Sequence, residues 1–491
     1  MTNESGSKGY LYCICGVAII GGLLFGYDTA VISGAEQALQ KFFQTGLGEN
    51  GYSTFVHGFV TSSALVGCVI GGAISGVMAG KLGRKNSLII SSILFFLSAL
   101  GSYMPEFLFR TDFSFYQPKE ATNGLKWAFI LYRVLGGIGV GLASAICPMY
   151  IAEVSPANIR GKLVSWNQFA IIFGQLLVYA INTVIRSCLG DTEKVIDERM
   201  ITVGWRRMFV SECVPAALFG ILLILVPKTP RYLVLTNRDE KAESVLARIN
   251  GTSKAKEILE EIKETIRNEN NEKSEGLFAY GVVVVIVGML LSFFQQAVGI
   301  NVVLYYAKRI FENMGASGNV AMIQTVVMGI VNVFFTFVAI FTVEKVGRRP
   351  LLMIGSIGMA IGMIALSVLM FCNVYNLTTL IFIIVYTASF MMSWGPICWV
   401  LISEIFPNTI RANAVAIAVA VQWISNLIVS TTFPYLSELS VGGAYLMYGI
   451  FSILSALFVY FMVPETKGKT LEDMNNLWLE RSGKKKIDNI V

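Results

Sequence analysis

Twelve stretches of spanning length, each mostly apolar, follow one another along this chain. They lie near 11–33, 55–80, 87–104, 127–149, 163–186 and 207–226, then 279–306, 319–342, 350–371, 377–403, 413–433 and 443–463. A helix needs about 20 apolar residues to cross a bilayer, and within the hydrocarbon every backbone polar group must be satisfied inside the segment. The pattern therefore predicts an all-α membrane protein with twelve transmembrane helices. Composition agrees: 55% of the 491 residues are hydrophobic and 14% charged, against about 25% charged in soluble proteins.

The runs fall into six and six. Between them, about 228–276, the chain is polar, helix-prone and balanced in sign. The expected organisation is a six-helix bundle over 1–226, a cytoplasmic helical linker over 227–277, a second bundle over 278–463 and a cytoplasmic tail over 464–491. Basic residues collect in the short loops after spans two, four, eight and ten (Lys81, Arg84, Lys85; Arg160, Lys162; Lys345, Arg348, Arg349; Arg411). The positive-inside rule puts those loops and both termini in the cytoplasm. The loop motifs repeat. Glu153-x-x-Pro156-x-x-Ile159-Arg160 matches Glu404-x-x-Pro407-x-x-Ile410-Arg411, and Gly83-Arg84-Lys85 matches Gly347-Arg348-Arg349. Matching motifs at matching positions indicate a duplicated six-helix unit, the parallel-repeat design that puts a binding site between two bundles near mid-membrane.

Charge inside the spans is rare. Asp28 lies in the first and Arg133 in the fourth. A carboxylate at that depth costs about 2.5–3.5 kcal/mol on insertion scales, so it marks function, with the arginine as natural partner. A proton-coupling pair in a transporter is the expectation. The modest net charge of +6 sits mostly in loops and argues for topology, not for nucleic-acid binding. The eight cysteines are scattered; Cys13 and Cys15 have no neighbouring histidine, so no metal site is expected, and Cys188 with Cys372 leaves a disulfide near the outer ends open. His57, the single histidine, is expected to be an interfacial residue at the start of span two. No nucleophile–histidine pairing or phosphate loop supports an enzyme, and no cofactor is expected. The first apolar run is long enough to be a mature helix, not a cleaved leader.

The paired loop motifs, Pro-Glu-Thr-Lys-Gly at 464–468 and Gln-Gln-x-x-Gly-Ile-Asn at 295–301 resemble the sugar porter branch of the major facilitator superfamily. So do Gly-Tyr-Asp-Thr-Ala-Val-Ile-Ser-Gly at 26–34, Asn-Gln-Phe-Ala-Ile-Ile-Phe-Gly-Gln at 167–175 and Ser-Trp-Gly-Pro-Ile-Cys-Trp-Val at 393–400, most like the branch's bacterial xylose–proton symporters. The similarity runs from about 16 to 473. Two departures stand out: Gly80 where an acid or amide is usual, and Lys228-Thr229 where Glu-Ser is usual. The resemblance implies the major facilitator fold and proton-coupled symport of a monosaccharide, D-xylose first, across the bacterial inner membrane. It also implies a monomer whose partners are sugar, proton and lipid bilayer, with no nucleic acid.

A sugar site needs amides for hydroxyls that donate and accept, and flat apolar faces for the ring. Gln168 and Gln175 share one face of span five with Ile171 between them. Gln295 and Gln296 precede Gly299, which can loosen span seven, and Asn301 and Tyr305 follow as i, i+4 neighbours. Trp399 follows Gly395-Pro396, an expected break in span ten; Gln422 and Trp423 sit in span eleven. The resemblance assigns hydroxyl contacts to Gln168, Gln295, Gln296, Asn301, Gln422 and Trp399, and aromatic wall to Phe25, Tyr305 and Trp423. Gln175 and Asn332 remain open between sugar contact and interhelical hydrogen bonding. Trp127 and Trp478 fit an interfacial belt or a surface. The duplicated cytoplasmic charges Arg84, Glu153, Arg160, Glu344, Arg348, Glu404 and Arg411 are expected to form a gate of breakable salt bridges between the bundles.

In the expected mechanism, protonation of Asp28 breaks its pairing with Arg133 and favours loading from outside. A hexose symporter or uniporter for glucose or galactose is the alternative, although the family's uniporters carry a neutral amide where Asp28 stands. A non-transporting sugar sensor is the other; such proteins carry long cytoplasmic extensions, and the tails here are short.

Overall fold

The structure, a computed structural model, describes residues 6–108, 121–189, 198–271, 276–313, 318–374, 377–468 and 471–481. Among the described residues every regular element is a helix. Twelve are long and apolar enough to cross a membrane: Lys8–Gly51, Thr54–Lys81, Arg84–Tyr103, Asn123–Val154, Ile159–Cys188, Met200–Leu225, Val282–Tyr305, Val320–Val343, Arg348–Phe371, Thr378–Ile402, Asn413–Leu439 and Val441–Phe461. They are spans one to twelve below. Large apolar side chains such as Leu225, Phe341 and Phe461 are exposed on their outer faces, as expected where lipid is the solvent.

The packing repeats between the halves. Span one lies along span five, as span seven lies along span eleven. The halves meet through span two against span eleven and span eight against span five, a two-fold-related pair of interfaces. Close approach has a residue-level cause: a Cβ on Gly26 would lie 1.8 Å from the Ile171 carbonyl oxygen, so only glycine lets spans one and five touch there.

Several boundaries differ from the sequence expectation. Span one does not end near residue 33 but continues as helix through Val31 (φ −56°, ψ −33°) to Gly51, with a kink at Gly48, where φ is +69°. Asn182 of span five donates to the Val31 carbonyl at 3.1 Å. The polar sequence of the continuation looks like a loop, but its polar groups are matched by the helix after span seven, Ala307–Asn313. Span seven breaks at Gly299, which has φ of +89°, as its position suggested. Span ten breaks at Ser393, just before Gly395-Pro396 and not at that pair. Pro396 then falls in the first turn of the new helix, where the N–H it lacks would have no partner anyway.

The linker forms three helices, Pro230–Leu235, Asp239–Asn250 and Thr252–Asn271. They close a small core of Leu233, Val234, Ala242, Leu246, Ala255 and Leu259. Tyr232 ties it to the first half by donating to the Lys81 carbonyl at 3.2 Å. Trp478 is not at a surface. It is 1% exposed, and its indole donates to the Ile405 carbonyl at 2.9 Å, because the helix Leu471–Arg481 folds under span ten. Trp127 is exposed, as a belt residue would be. Cys188 and Cys372 are both free thiols, so no disulfide links them.

Candidate functional site

Asp28 and Arg133 meet in the core of the first half. Arg133 Nη1 donates to Asp28 Oδ1 at 2.5 Å and Nη2 to the Asp28 carbonyl at 3.2 Å; both side chains are buried. The guanidinium also stacks over Phe209, 5.1 Å from the ring centre. Space for the pair comes from Gly136, whose added Cβ would sit 2.4 Å from Ser98 Oγ and 3.5 Å from Asp28 Oδ1. Sequence reasoning missed a third member. Glu212 of span six, fully buried, lies against the Asp28 carboxyl and within the field of Arg133. The signal was available, since Glu212 is an acid inside an apolar run just as Asp28 is. Two buried carboxyls thus lie side by side, and of the two only Asp28 is bonded to the guanidinium among the described residues. Asp28 Oδ2, Arg133 Nε and both Glu212 oxygens have no hydrogen-bond partner among the described residues.

The amides of the second half form a chain. Asn301 Nδ2 donates to Gln296 Oε1 at 2.5 Å, Gln296 Nε2 to Gln295 Oε1 at 3.3 Å, and Gln422 Nε2 to that same Gln295 oxygen. Gln295 Nε2 in turn donates to the Trp394 and Gly395 carbonyls at 3.2 and 3.4 Å. Asn426, not singled out in the sequence, donates to the Tyr305 hydroxyl at 3.4 Å.

Across the interface, Phe25 meets Trp423 with ring centres 5.8 Å apart and planes tilted by 48°. Ile171 touches span one beside Phe25. Gln168 and Trp399 are half-buried, and Gln175 and Asn332 buried. Their side chains make no hydrogen bond among the described residues, so no bond joins them to the amide chain. Gln175 Oε1, Gln422 Oε1, Trp423 Nε1 and both polar atoms of Asn332 are buried and without a partner among the described residues. Buried polar atoms are satisfied in the great majority of cases, and each of these could bond a hydroxyl.

The cytoplasmic charges pair differently from expectation. Arg84 binds Glu153 through Nε at 2.9 Å and Nη2 at 2.5 Å, and Arg348 binds Glu404 through Nε at 3.1 Å and Nη2 at 2.9 Å. Each pair lies within one half, not between the halves. The motif duplication thus yields two copies of an internal brace. Arg411 donates twice to its own half's Phe406 carbonyl, and partial burial draws its pKa below the usual value. Arg160 is exposed, and the side chain of Glu344 lies outside the described residues.

The second brace has an addition. Glu465 accepts the backbone N–H groups of Arg348 and Arg349 at 3.1 and 3.0 Å, and Thr466 donates to Glu404 at 2.6 Å. In the first half Lys228 stands over the Tyr232 ring instead, 5.4 Å from its centre.

Hydrogen bonds between the halves gather toward the outer ends of the spans. Thr61 meets the Tyr306 hydroxyl at 2.7 Å, Ser62 meets Thr431 at 2.6 Å, and Tyr179 donates to the Leu304 carbonyl at 2.9 Å. The halves are fastened on the outer side, which explains why the cytoplasmic charges stay within their own bundles. His57 is not interfacial: it is fully buried, between Glu36 and Tyr52.

The model of the sugar (and other) transporter family matches residues 14–478, nearly the whole chain. This chain belongs to that family. A D-xylose-proton symporter of Escherichia coli (strain K12) is 48% identical over 486 residues, covering 97% of each chain. A glucose transport protein of Synechocystis is 40% identical, covering 95% of this chain and 97% of its own. Among solved structures, the inward-open xylose transporter XylE from E. coli superposes with a TM-score of 0.83 at 46% identity, covering 95% of this chain and all of the other. The two-bundle, twelve-helix architecture is that of these transporters, and the family member described here is a multi-pass membrane protein.

Proposed function

We infer that this chain is a proton-coupled symporter that carries a monosaccharide, D-xylose in the first place, across the bacterial inner membrane by alternating access. The carrying observation is the buried Asp28–Arg133 pair with Glu212 against it, in a chain 48% identical to a D-xylose-proton symporter. A proton on Asp28 removes the charge that holds Arg133. Glu212 is then the anion left to accompany the guanidinium, so the pair can part without leaving a bare buried cation. Release of the proton restores the pairing.

The sugar sits between the bundles, with its hydroxyls replacing the mutual bonds of Gln295, Gln296, Asn301 and Gln422. Phe25 and Trp423 form the wall, and Gln168, Gln175, Asn332, Tyr305 and Trp399 lie around it. Segments 1–226 and 278–463 act as the two moving bundles, with 227–277 as connector. The carrier works as a monomer in the bilayer and performs no covalent chemistry on its cargo.

The test is a pH electrode in a lightly buffered suspension of proteoliposomes. Alkalinisation on adding D-xylose supports symport; sugar entry with no proton movement would mean facilitated diffusion. The 40% identity to a glucose transport protein favours a hexose as the second reading. Competition of labelled D-xylose uptake by glucose, galactose and arabinose separates the two.

A further inference from the structure

The extension of span one puts a second buried acid, Glu36, against the second half. Arg309, in the helix after span seven, donates to it through Nε at 3.0 Å and pairs through Nη2 at 3.0 Å. From the first half, His57 Nε2 meets the same carboxylate at 3.0 Å, while its Nδ1 meets the Tyr52 hydroxyl at 3.1 Å. Glu36 and His57 are both fully buried. Around them, Arg309 also donates to Gln40, Lys308 donates to Gln37 at 2.7 Å and pairs with Glu312 at 3.4 Å, and Gln37 donates to Glu312. The charged or titratable groups facing His57 are thus Glu36 of span one, Tyr52 of the following turn and Arg309 of the other half. Tyr306, Lys308, Glu312 and Arg186 lie one step further out. None of these groups belongs to the sugar or proton site above.

We propose that Glu36, His57 and Arg309 form an outer clasp that external protons release, biasing the empty carrier to open toward the acid side. The inference rests on the alternating-access function inferred above. Outward opening must pull Arg309 away from Glu36, since the two sit on opposite halves. A buried carboxylate stripped of its cation is costly, by several kcal/mol in general. His57 travels with Glu36 and remains beside it. Protonated, it replaces Arg309 as the cation, and the broken inter-half ion pair becomes an intact one within the first half. In the closed state the same proton would put a second cation on a carboxylate that Arg309 already holds. The open state therefore binds the proton better, and a ligand that binds one state better shifts the population to it.

Distance measurements on sugar-free, full-length protein in lipid nanodiscs test this. Spin labels go on Thr45→Cys and Glu438→Cys, exposed sites at the outer ends of spans one and eleven, with exposed Cys13, Cys188 and Cys372 changed to serine. Lowering the pH from about 8 to about 5.5, across the usual histidine range, should raise the long-distance fraction about threefold. His57→Gln should lose that rise, and Arg309→Gln should be open at both pH values. An undiminished response in His57→Gln, or none with His57 present, overturns the clasp. Glu36→Gln, a neutral isostere expected to lose the response as well, carries the test if His57→Gln fails to fold. If D-xylose moves the labels and pH does not, the clasp fails alone. If neither moves them, alternating access fails with it.

Discussion

Arg133 holds one oxygen of Asp28 at 2.5 Å and leaves the other without a partner among the described residues. The carboxylate is thus gripped on one side only, with the buried carboxyl of Glu212 beside it.

Asp28→Asn keeps the shape and removes the titration. One charge moved through 100 mV supplies about 2.3 kcal/mol, which supports roughly 45-fold sugar accumulation at 1.4 kcal/mol per decade. The variant should lose that accumulation and the alkalinisation signal, and still exchange labelled for unlabelled sugar across the membrane. Uphill uptake at the parent level would end the coupling account.

Gln295 is the hinge of the amide chain, touching Gln296, Gln422 and the span ten carbonyls. Gln295→Ala removes two or more hydrogen bonds worth about 0.5–1.5 kcal/mol each and strands their partners. D-xylose affinity, followed by tryptophan fluorescence or calorimetry, should fall on the order of 10- to 100-fold, with the fold intact by circular dichroism. An unchanged Kd would remove the amide chain from the binding site.

Gly299 is held at φ of +89° with the Tyr448 ring where a side chain would go, 2.7 Å from an added Cβ. Alanine there carries both a left-handed backbone cost and a clash, together about 2 kcal/mol. The midpoint of heat-induced aggregation in detergent should drop by several degrees, and sugar binding should weaken because Gln296 and Asn301 flank the break.

Glu465 fastens the start of span nine by accepting the Arg348 and Arg349 amides. A lost carboxylate cap costs about 1 kcal/mol. Hydrogen exchange at those two amides should therefore quicken by roughly 5- to 10-fold in Glu465→Ala, while the start of span three, which has Lys228 in the matching position, stays unchanged. Equal acceleration at both sites would mean general loosening, not the loss of a local cap.

The spans and the duplication were legible because bilayer physics writes them as long apolar runs and repeated basic loops. Asp28 with Arg133 was legible for the same reason, charge where charge is expensive. What escaped was pairing across distance. The tail of span one, from Gly34 to Gly51, looks like loop until Lys308 and Arg309 are seen to match Gln37 and Glu36. His57 and Trp478 looked like boundary residues because burial of a polar tip depends on a partner far along the chain, Glu36 for one and the Ile405 carbonyl for the other. The two cytoplasmic braces could be found as motifs, but whether they join or merely stiffen the bundles depends on which side of the molecule is closed.

Span one runs as helix through Val31, so Asp28 and Glu36 ride on a single lever, about 12 Å apart along its axis. Groups that distant and unconnected normally act independently. Here a tilt at one end displaces the other, and neutralising both acids should change the resting conformation by an amount that the two single changes do not sum to.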